Sequence, residues 1–144
     1  MAARDYADPN LFLPNGVVLC IDDDAAILCF EKMLLEGSGY SVLTTTSPQQ
    51  GLRLASMCQC KIVLLDYEMP GMNGREVAFE IKRVRPDLIV ILLSGSDVPI
   101  DALASVDAFI PKIEASRKLL PMIACLCNKI PESQVKHEQD GLRR

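Results

Sequence analysis

At 144 residues the chain has the size of one domain, long enough to bury a sizeable core. Apolar residues make up 49% of it, and 15 basic against 19 acidic residues leave a net charge of -4, which argues against nucleic acid as a direct partner. The longest apolar run, Leu88 to Leu93, falls far short of the roughly 18 residues of a membrane span, and the opening "MAARDYADPN" carries acids and lacks the apolar centre of a secretory signal. A cytoplasmic protein with no membrane insertion is expected.

Residues 1–15, with Pro9, Pro14 and the Asn15-Gly16 step, read as a flexible lead-in. "GVVLCIDD" is a short apolar run ending in acids, a buried strand. "DAAILCFEKMLLEGSG" carries apolar residues at Ile27, Phe30, Leu34 and Leu35, close to helical spacing, with Asp24 to cap its start and Gly37 or Gly39 to end it. "YSVLTTT" is β-branched and aromatic enough for a second strand. "SPQQGLRLASM" opens a helix with Ser47 as N-cap and Pro48 in the first helical position.

"KIVLLD" is a third strand, running from Ile62 straight into Asp66, followed by the glycine- and proline-broken loop "YEMPGMNG". "GREVAFEIKRV" is a helix with Val77, Ile81 and Val84 inward, stopping before Pro86. "DLIVILLSG" is another wholly apolar strand. "VPIDALAS" supports at most a short helix, with Ile100 and Leu103 as its inward pair. "DAFIPK" is the last strand, and "SRKLLPMIACLCNKI" the last helix, with Pro121 near its start. The polar tail 131–144 follows a domain expected over residues 16–130.

Regular alternation of apolar strands with helices specifies an α/β protein: a doubly wound, five-stranded parallel sheet with helices on both faces, a three-layer sandwich with a shortened fourth helix. Six cysteines are present, among them the pairs Cys58-x-Cys60 and Cys125-x-Cys127. Zinc knuckles space their ligands differently. Each cysteine lies within or beside an apolar segment, so buried, reduced thiols are expected.

In open α/β sheets ligands bind beyond the carboxyl ends of the strands. Those ends carry one polar set: Asp22, Asp23 and Asp24 after the first strand, Asp66 after the third, Ser94-Gly95 after the fourth, Lys112 after the fifth. Each has an ordinary structural reading, Asp24 as a helix cap, Ser94 as a turn residue, Lys112 as a solvated lysine. Four of five strand ends being so equipped is better explained together. Two carboxylates about 4 Å apart repel by roughly 4 kcal/mol at an effective dielectric near 20, so the acids need compensation from Lys112 and from a hard divalent cation. Mg²⁺ accepts one or two carboxylates and keeps other positions for water and phosphate oxygens. The only histidine is His137 in the tail, which leaves magnesium-assisted phosphoryl chemistry favoured over proton transfer.

"VLCIDDDAAI", "VLLDYEMPGMNG", "LLSG" and "DAFIPK" together resemble the receiver domain of two-component response regulators, the CheY-like, flavodoxin-like fold. The resemblance covers about residues 16–130. It implies that Asp66 is the phosphoacceptor, that Asp22 and Asp23 form the acidic pair with Asp23 the direct Mg²⁺ ligand, and that Asp66 and the backbone carbonyl of Glu68 complete the metal set. It implies further that Ser94 is the family's hydroxyl and Lys112 its lysine, with Ser94 and Phe109 as the switch pair. The expected function is a stand-alone, non-enzymatic receiver that takes a phosphoryl group from a sensor histidine kinase or phosphotransfer protein and signals to a downstream protein or along a phosphorelay, since too little chain follows residue 130 for an output domain. A receiver binding partners without phosphorylation is the alternative. A phosphatase of the haloacid dehalogenase class would want a second aspartate where Glu68 stands. The chain departs from the family in placing Pro111 before Lys112 and Ile113 after it, where a trans Lys112–Ile113 bond is expected, and in a phenylalanine at the switch, which has no hydroxyl.

Overall fold

The computed structural model describes residues 16–127; the expected lead-in 1–15, residues 128–130 and the tail 131–144 lie outside them. The order is β1 (Val17–Ile21), α1 (Ala25–Glu36), β2 (Ser41–Thr45), α2 (Pro48–Met57), β3 (Ile62–Asp66), α3 (Gly74–Val84), β4 (Ile89–Ser94), a 3-10 turn (Ile100–Leu103), β5 (Ala108–Pro111) and a second 3-10 turn (Lys112–Glu114). The latter leads into α4, helical over residues 115–127. The strands pair in parallel in the order β2-β1-β3-β4-β5. The winding direction reverses between β1 and β3, the switch point at which such sheets bind ligands.

Alternation along each strand divides the core into two layers. Val18, Cys20, Ile62, Leu64, Ile91, Leu93 and Ile110 face Leu28 and Leu35 of α1 and Leu119 and Ile123 of α4. Leu19, Ile21, Val63, Leu65, Val90 and Leu92 face Ala55 of α2 and Val77, Ala78 and Ile81 of α3. β3 and β4 are buried along their whole length, as strands covered on both faces must be.

The helix starts follow their capping residues. Asp24 accepts from the Ala26 N–H, and Ser47 accepts from the Gln50 N–H with Pro48 at the first position of α2. Asn73 and Glu76 form a reciprocal capping box at α3. At the edge remote from the strands' carboxyl ends, Lys82 donates to Leu88 O and to Asp107 Oδ2, which also accepts from Val90 N–H, tying α3 to β4 and the start of β5. Arg85 caps the carbonyls of Ala55 and Cys58 at the end of α2.

Five expectations need correction. α1 turns Leu28, Glu31 and Leu35 inward and leaves Phe30 exposed, so its buried stripe is rotated from the one its apolar residues mark. Val84, the last residue of α3, is exposed. The fourth helix is shortened as expected, to a 3-10 turn, but its inward side is not the Ile100–Leu103 pair: Ala102 points inward, Leu103 packs at the layer's rim, and Ile100, the first residue of the turn, is 87% exposed. Pro121 sits well inside α4, because the chain begins to coil at Lys112, ahead of the serine from which the helix was expected to start. Of the cysteines, Cys20 and Cys60 are buried as expected, whereas Cys29 and Cys125 are exposed; all are free. No cis peptide occurs among the described residues.

Candidate functional site

The layer under α1 and α4 ends in charge. Continuing the two-residue alternation past the apolar rows places Asp22 after Val18 and Cys20, Asp66 after Ile62 and Leu64, and Lys112 after Ile110, all on one face. Lys112 Nζ lies 3.0 Å from Asp22 Oδ2 and 3.0 Å from Asp66 Oδ1. Both aspartates are 2% exposed, so their charges are not screened by bulk water. The other oxygen of Asp22 accepts from the Asp24 N–H at 2.9 Å. Asp66 receives a long contact from the Glu68 N–H.

Asp23 is exposed on the rim. One carboxylate oxygen from each of Asp22, Asp23 and Asp66 lies within 4.8 Å of the others, the one such grouping of potential metal ligands among the described residues. This all-oxygen set suits a small hard cation such as Mg²⁺, with a carboxylate oxygen from each of Asp22, Asp23 and Asp66 able to hold it. Asp24 points away from this task, into the cap of α1.

Burial pushes the Asp66 carboxyl up to about 6; Lys112 opposes the shift and Asp22 adds to it. At neutral pH Asp66 is therefore mostly ionised. Burial works against the Lys112 ammonium, but its hydrogen bonds to Asp22 and Asp66 outweigh that and hold its pKa above the usual lysine range.

Ser94 closes the site from the other layer. Leu93 pairs in register with Asp66, which puts Ser94 one residue beyond on the adjacent strand, and its side chain is buried. Its Oγ accepts from the Ser96 N–H at 3.0 Å, and Ser96 Oγ donates to Glu68 Oε2 at 2.8 Å. A polar chain thus joins the loop after β4 to the loop after β3. Nothing lies within 4 Å of a Cβ built on Gly95, so the backbone beside Ser94 is open to an incoming group. Phe109, in register with Leu92, is half-buried against the α2–α3 layer.

The structure brings Asp22, Asp23, Asp66 and Lys112 together and puts Glu68 on the loop after β3 and Ser94 at the end of β4, while Phe109 stands off as part of the packing. Two residues escaped sequence reasoning. Ser96 was hidden because its partner is on another loop. Glu31 carries no motif that singles it out, although it falls three residues after Leu28 and four before Leu35, on the same face.

The response regulator receiver domain family model matches residues 18–124. A CheY-like receiver domain protein from Methanospirillum hungatei superposes with a TM-score of 0.77 at 28% identity, over 82% of this chain and 98% of that one. A receiver domain protein from Clostridium thermocellum gives 0.74 at 31%, over 81% and 97%. The response regulator TrrA from Thermotoga maritima, in complex with Mg²⁺ and BeF, gives 0.73 at 27%, over 77% and 98%. Among curated relatives, the transcriptional regulatory protein GlrR of Escherichia coli is 34% identical over 88 residues, 61% of this chain and 20% of its own length. The alkaline phosphatase synthesis transcriptional regulatory protein PhoP of Bacillus subtilis is 22% identical, with 87% and 55% covered. The chain thus spans between a fifth and about half the length of the curated relatives it matches.

Proposed function

The chain belongs to the response regulator receiver domain family, and from that footing we propose that it accepts a phosphoryl group on Asp66 from a phosphohistidine of a sensor kinase or phosphotransfer protein. The observation that carries this reading is the ionic arrangement around Asp66: a buried carboxylate bonded to Lys112 Nζ at 3.0 Å, with Asp22 and Asp23 placed to share a cation with it.

In the proposed step an Asp66 carboxylate oxygen forms a bond to phosphorus as the phosphorus–nitrogen bond of the donor breaks, and the imidazole leaves with the electron pair and takes up a proton. A carboxylate is a modest nucleophile, so the site must supply position and charge compensation. Asp66 is held by the end of a wholly buried strand. Lys112, already between Asp22 and Asp66, lies where it can neutralise a phosphoryl oxygen. The Ser94 hydroxyl accepts from Ser96 N–H and makes only a long 3.5 Å contact with Ser96 Oγ, so its hydrogen can turn to donate to another phosphoryl oxygen. A bound Mg²⁺ would supply further positive charge on the transferring group. Asp22, Asp23 and the Glu68 carbonyl are the groups that would hold it.

The same reading makes Ser94 and Phe109 the elements that pass occupancy of the site to a protein partner, in a cytoplasmic setting. No described helix is long and apolar enough to cross a membrane. Acetyl phosphate with Mg²⁺, followed by intact mass, tests the proposal. A single phosphoryl adduct labile to hydroxylamine is expected, absent in Asp66→Asn and without Mg²⁺. Because protonation removes the nucleophile, the rate should fall at acid pH, with a midpoint below the metal-free value of about 6, since a bound cation favours the carboxylate. An adduct on Asp66→Asn would overturn the assignment. No adduct under any donor would leave the phosphorylation-independent binding module.

A further inference from the structure

Glu31 is buried to 3% exposure in the α1–β1 layer, and its Oε1 has no hydrogen-bond partner. Such an acid is costly to bury, and the proposed chemistry makes no direct use of it. Its place in the fold suggests one. The Cys20 thiol on β1 faces the same layer, where it favours the ionised form of the Glu31 carboxyl. Cys20 is two residues before Asp22 on the same face, and Leu64 is two before Asp66, so Glu31 occupies the layer directly behind the acids of the site. No hydrogen bond or ion pair joins it to them.

The titratable and charged groups around it are few. β1 contributes Cys20 and Asp22, β3 contributes Asp66, and Lys112 stands beyond β5. β2 carries no ionisable side chain over Ser41–Thr45; α4 buries Ala115, Leu119 and Ile123 in this layer, and the titratable Cys127 of α4 and Tyr40 pack against it, each held in its neutral form by burial. On α1 itself, Lys32 is exposed and paired with Glu36.

We propose that Glu31 is a positioning residue that links cation binding at Asp22, Asp23 and Asp66 to a proton held inside the protein: it keeps the proton while those acids are uncompensated and releases it when positive charge is added among them. The inference rests on reading those three residues as a cation site. Burial first and then Asp22 push the Glu31 carboxyl up to about 7, with Asp66 adding and the Cys20 thiol and Lys112 opposing. A cation between Asp22 and Asp66 cancels two of the forces that keep the proton on. Linkage makes the effect reciprocal: a fall of one unit in the Glu31 pKa on cation binding is a tenfold gain in cation affinity between low and high pH. Asp66 titrates too, but its direct competition with the cation is present in both wild type and Glu31→Gln, so the ratio of the two reports what Glu31 adds.

The test uses the full chain and Mg²⁺ alone. Carboxyl carbon shifts of Glu-labelled wild type, assigned with Glu31→Gln, should give a Glu31 midpoint near 7 without Mg²⁺ and a lower one at saturating Mg²⁺. Calorimetric Mg²⁺ titrations at pH 5.5 and 8.5 should show similar affinities of wild type and Glu31→Gln at the lower pH and a several-fold advantage of wild type at the higher. Cys20→Ala, which removes the donor that favours the ionised form, should move the window upward. A Glu31 midpoint unmoved by Mg²⁺, or an affinity ratio flat with pH, overturns the linkage even if Glu31→Gln alters stability. Mg²⁺ binding insensitive to Asp23→Asn overturns the site reading, and the linkage with it.

Discussion

The two layers of the core differ in what they tolerate. The layer under α2 and α3 is apolar throughout and so close that two glycines are needed: a Cβ on Gly51 would stand 2.5 Å from Ile21 Cδ1, and one on Gly74 would stand 2.6 Å from the Asp66 carbonyl oxygen and 2.7 Å from Tyr67 Cα. The layer under α1 and α4 admits a carboxylic acid, Glu31, and a thiol, Cys20, and runs out into Asp22, Asp66 and Lys112. Shape governs the first layer and charge the second. The site sits where they meet, with Ser94 supplied from one side and the acids from the other. A change in the first layer should therefore act through displacement at any pH, and a change in the second through protonation.

The largest effect should come from Gly74→Ala. The obstacle is backbone, the carbonyl of Asp66 and the Cα of Tyr67, and it cannot swing aside as the tip of Ile21 could for Gly51. Overpacking of this kind costs about 3 kcal/mol. The displaced segment is the loop that carries Asp66, so phosphorylation should fall further than stability alone explains. Urea denaturation and the acetyl phosphate assay at equal folded fraction would check this. A loss of stability with unchanged phosphorylation would mean that α3 and not the loop gives way, and the two layers would be less separate than the contrast holds.

Glu31→Leu should act with the opposite sign and only at higher pH. In the unfolded chain Glu31 ionises near 4.5, while in the fold it keeps its proton to about 7. Stability from this group is therefore fully present below 4.5 and is lost as the pH rises through 7. The displacement of the pKa from 4.5 to about 7 corresponds to about 3 kcal/mol, so Glu31→Leu should gain about that much more at pH 8 than at pH 4.5. Denaturation midpoints of both proteins across this range would show it. A gain independent of pH would mean that packing, not charge, distinguishes Glu31 from leucine.

Strand ends were legible in the sequence because a fully covered strand is apolar until it leaves the sheet, so the first polar residue after each run marks the functional edge: Asp22, Asp66, Ser94, Lys112. Helix starts were legible where a side chain does the capping, as at Asp24 and Ser47. The facing of α1 was not. Hydrophobicity assigns Phe30 inward and Glu31 outward, and the fold does the reverse, because Glu31 can be neutralised beside Asp22 and that depends on a charge brought from another element. Ile100 misled for a different reason: it opens an element only four residues long, and that single turn presents Ala102 to the core instead. The Ser96–Glu68 bond joins loops 28 residues apart and leaves no local trace.

The smallest effect should come from Arg75→Ala, and its smallness is informative about how the apolar layer is closed. Arg75 of α3 pairs with Asp101 of the 3-10 turn at 3.4 Å, with both side chains more than half exposed. Exposed pairs of this kind contribute about 0.5 kcal/mol or less. Beneath the pair, Ala102 is fully buried and its N–H is bonded to the Pro99 carbonyl. If shape governs this layer, Ala102 holds the turn down and the ion pair only rides on it. Arg75→Ala should then leave the denaturation midpoint within about 0.5 kcal/mol of wild type, and hydrogen exchange at the Ala102 amide should be unchanged. A marked acceleration of that exchange, with global stability intact, would show that charge fastens the apolar layer at this edge, and the division between the two faces would stop at α3.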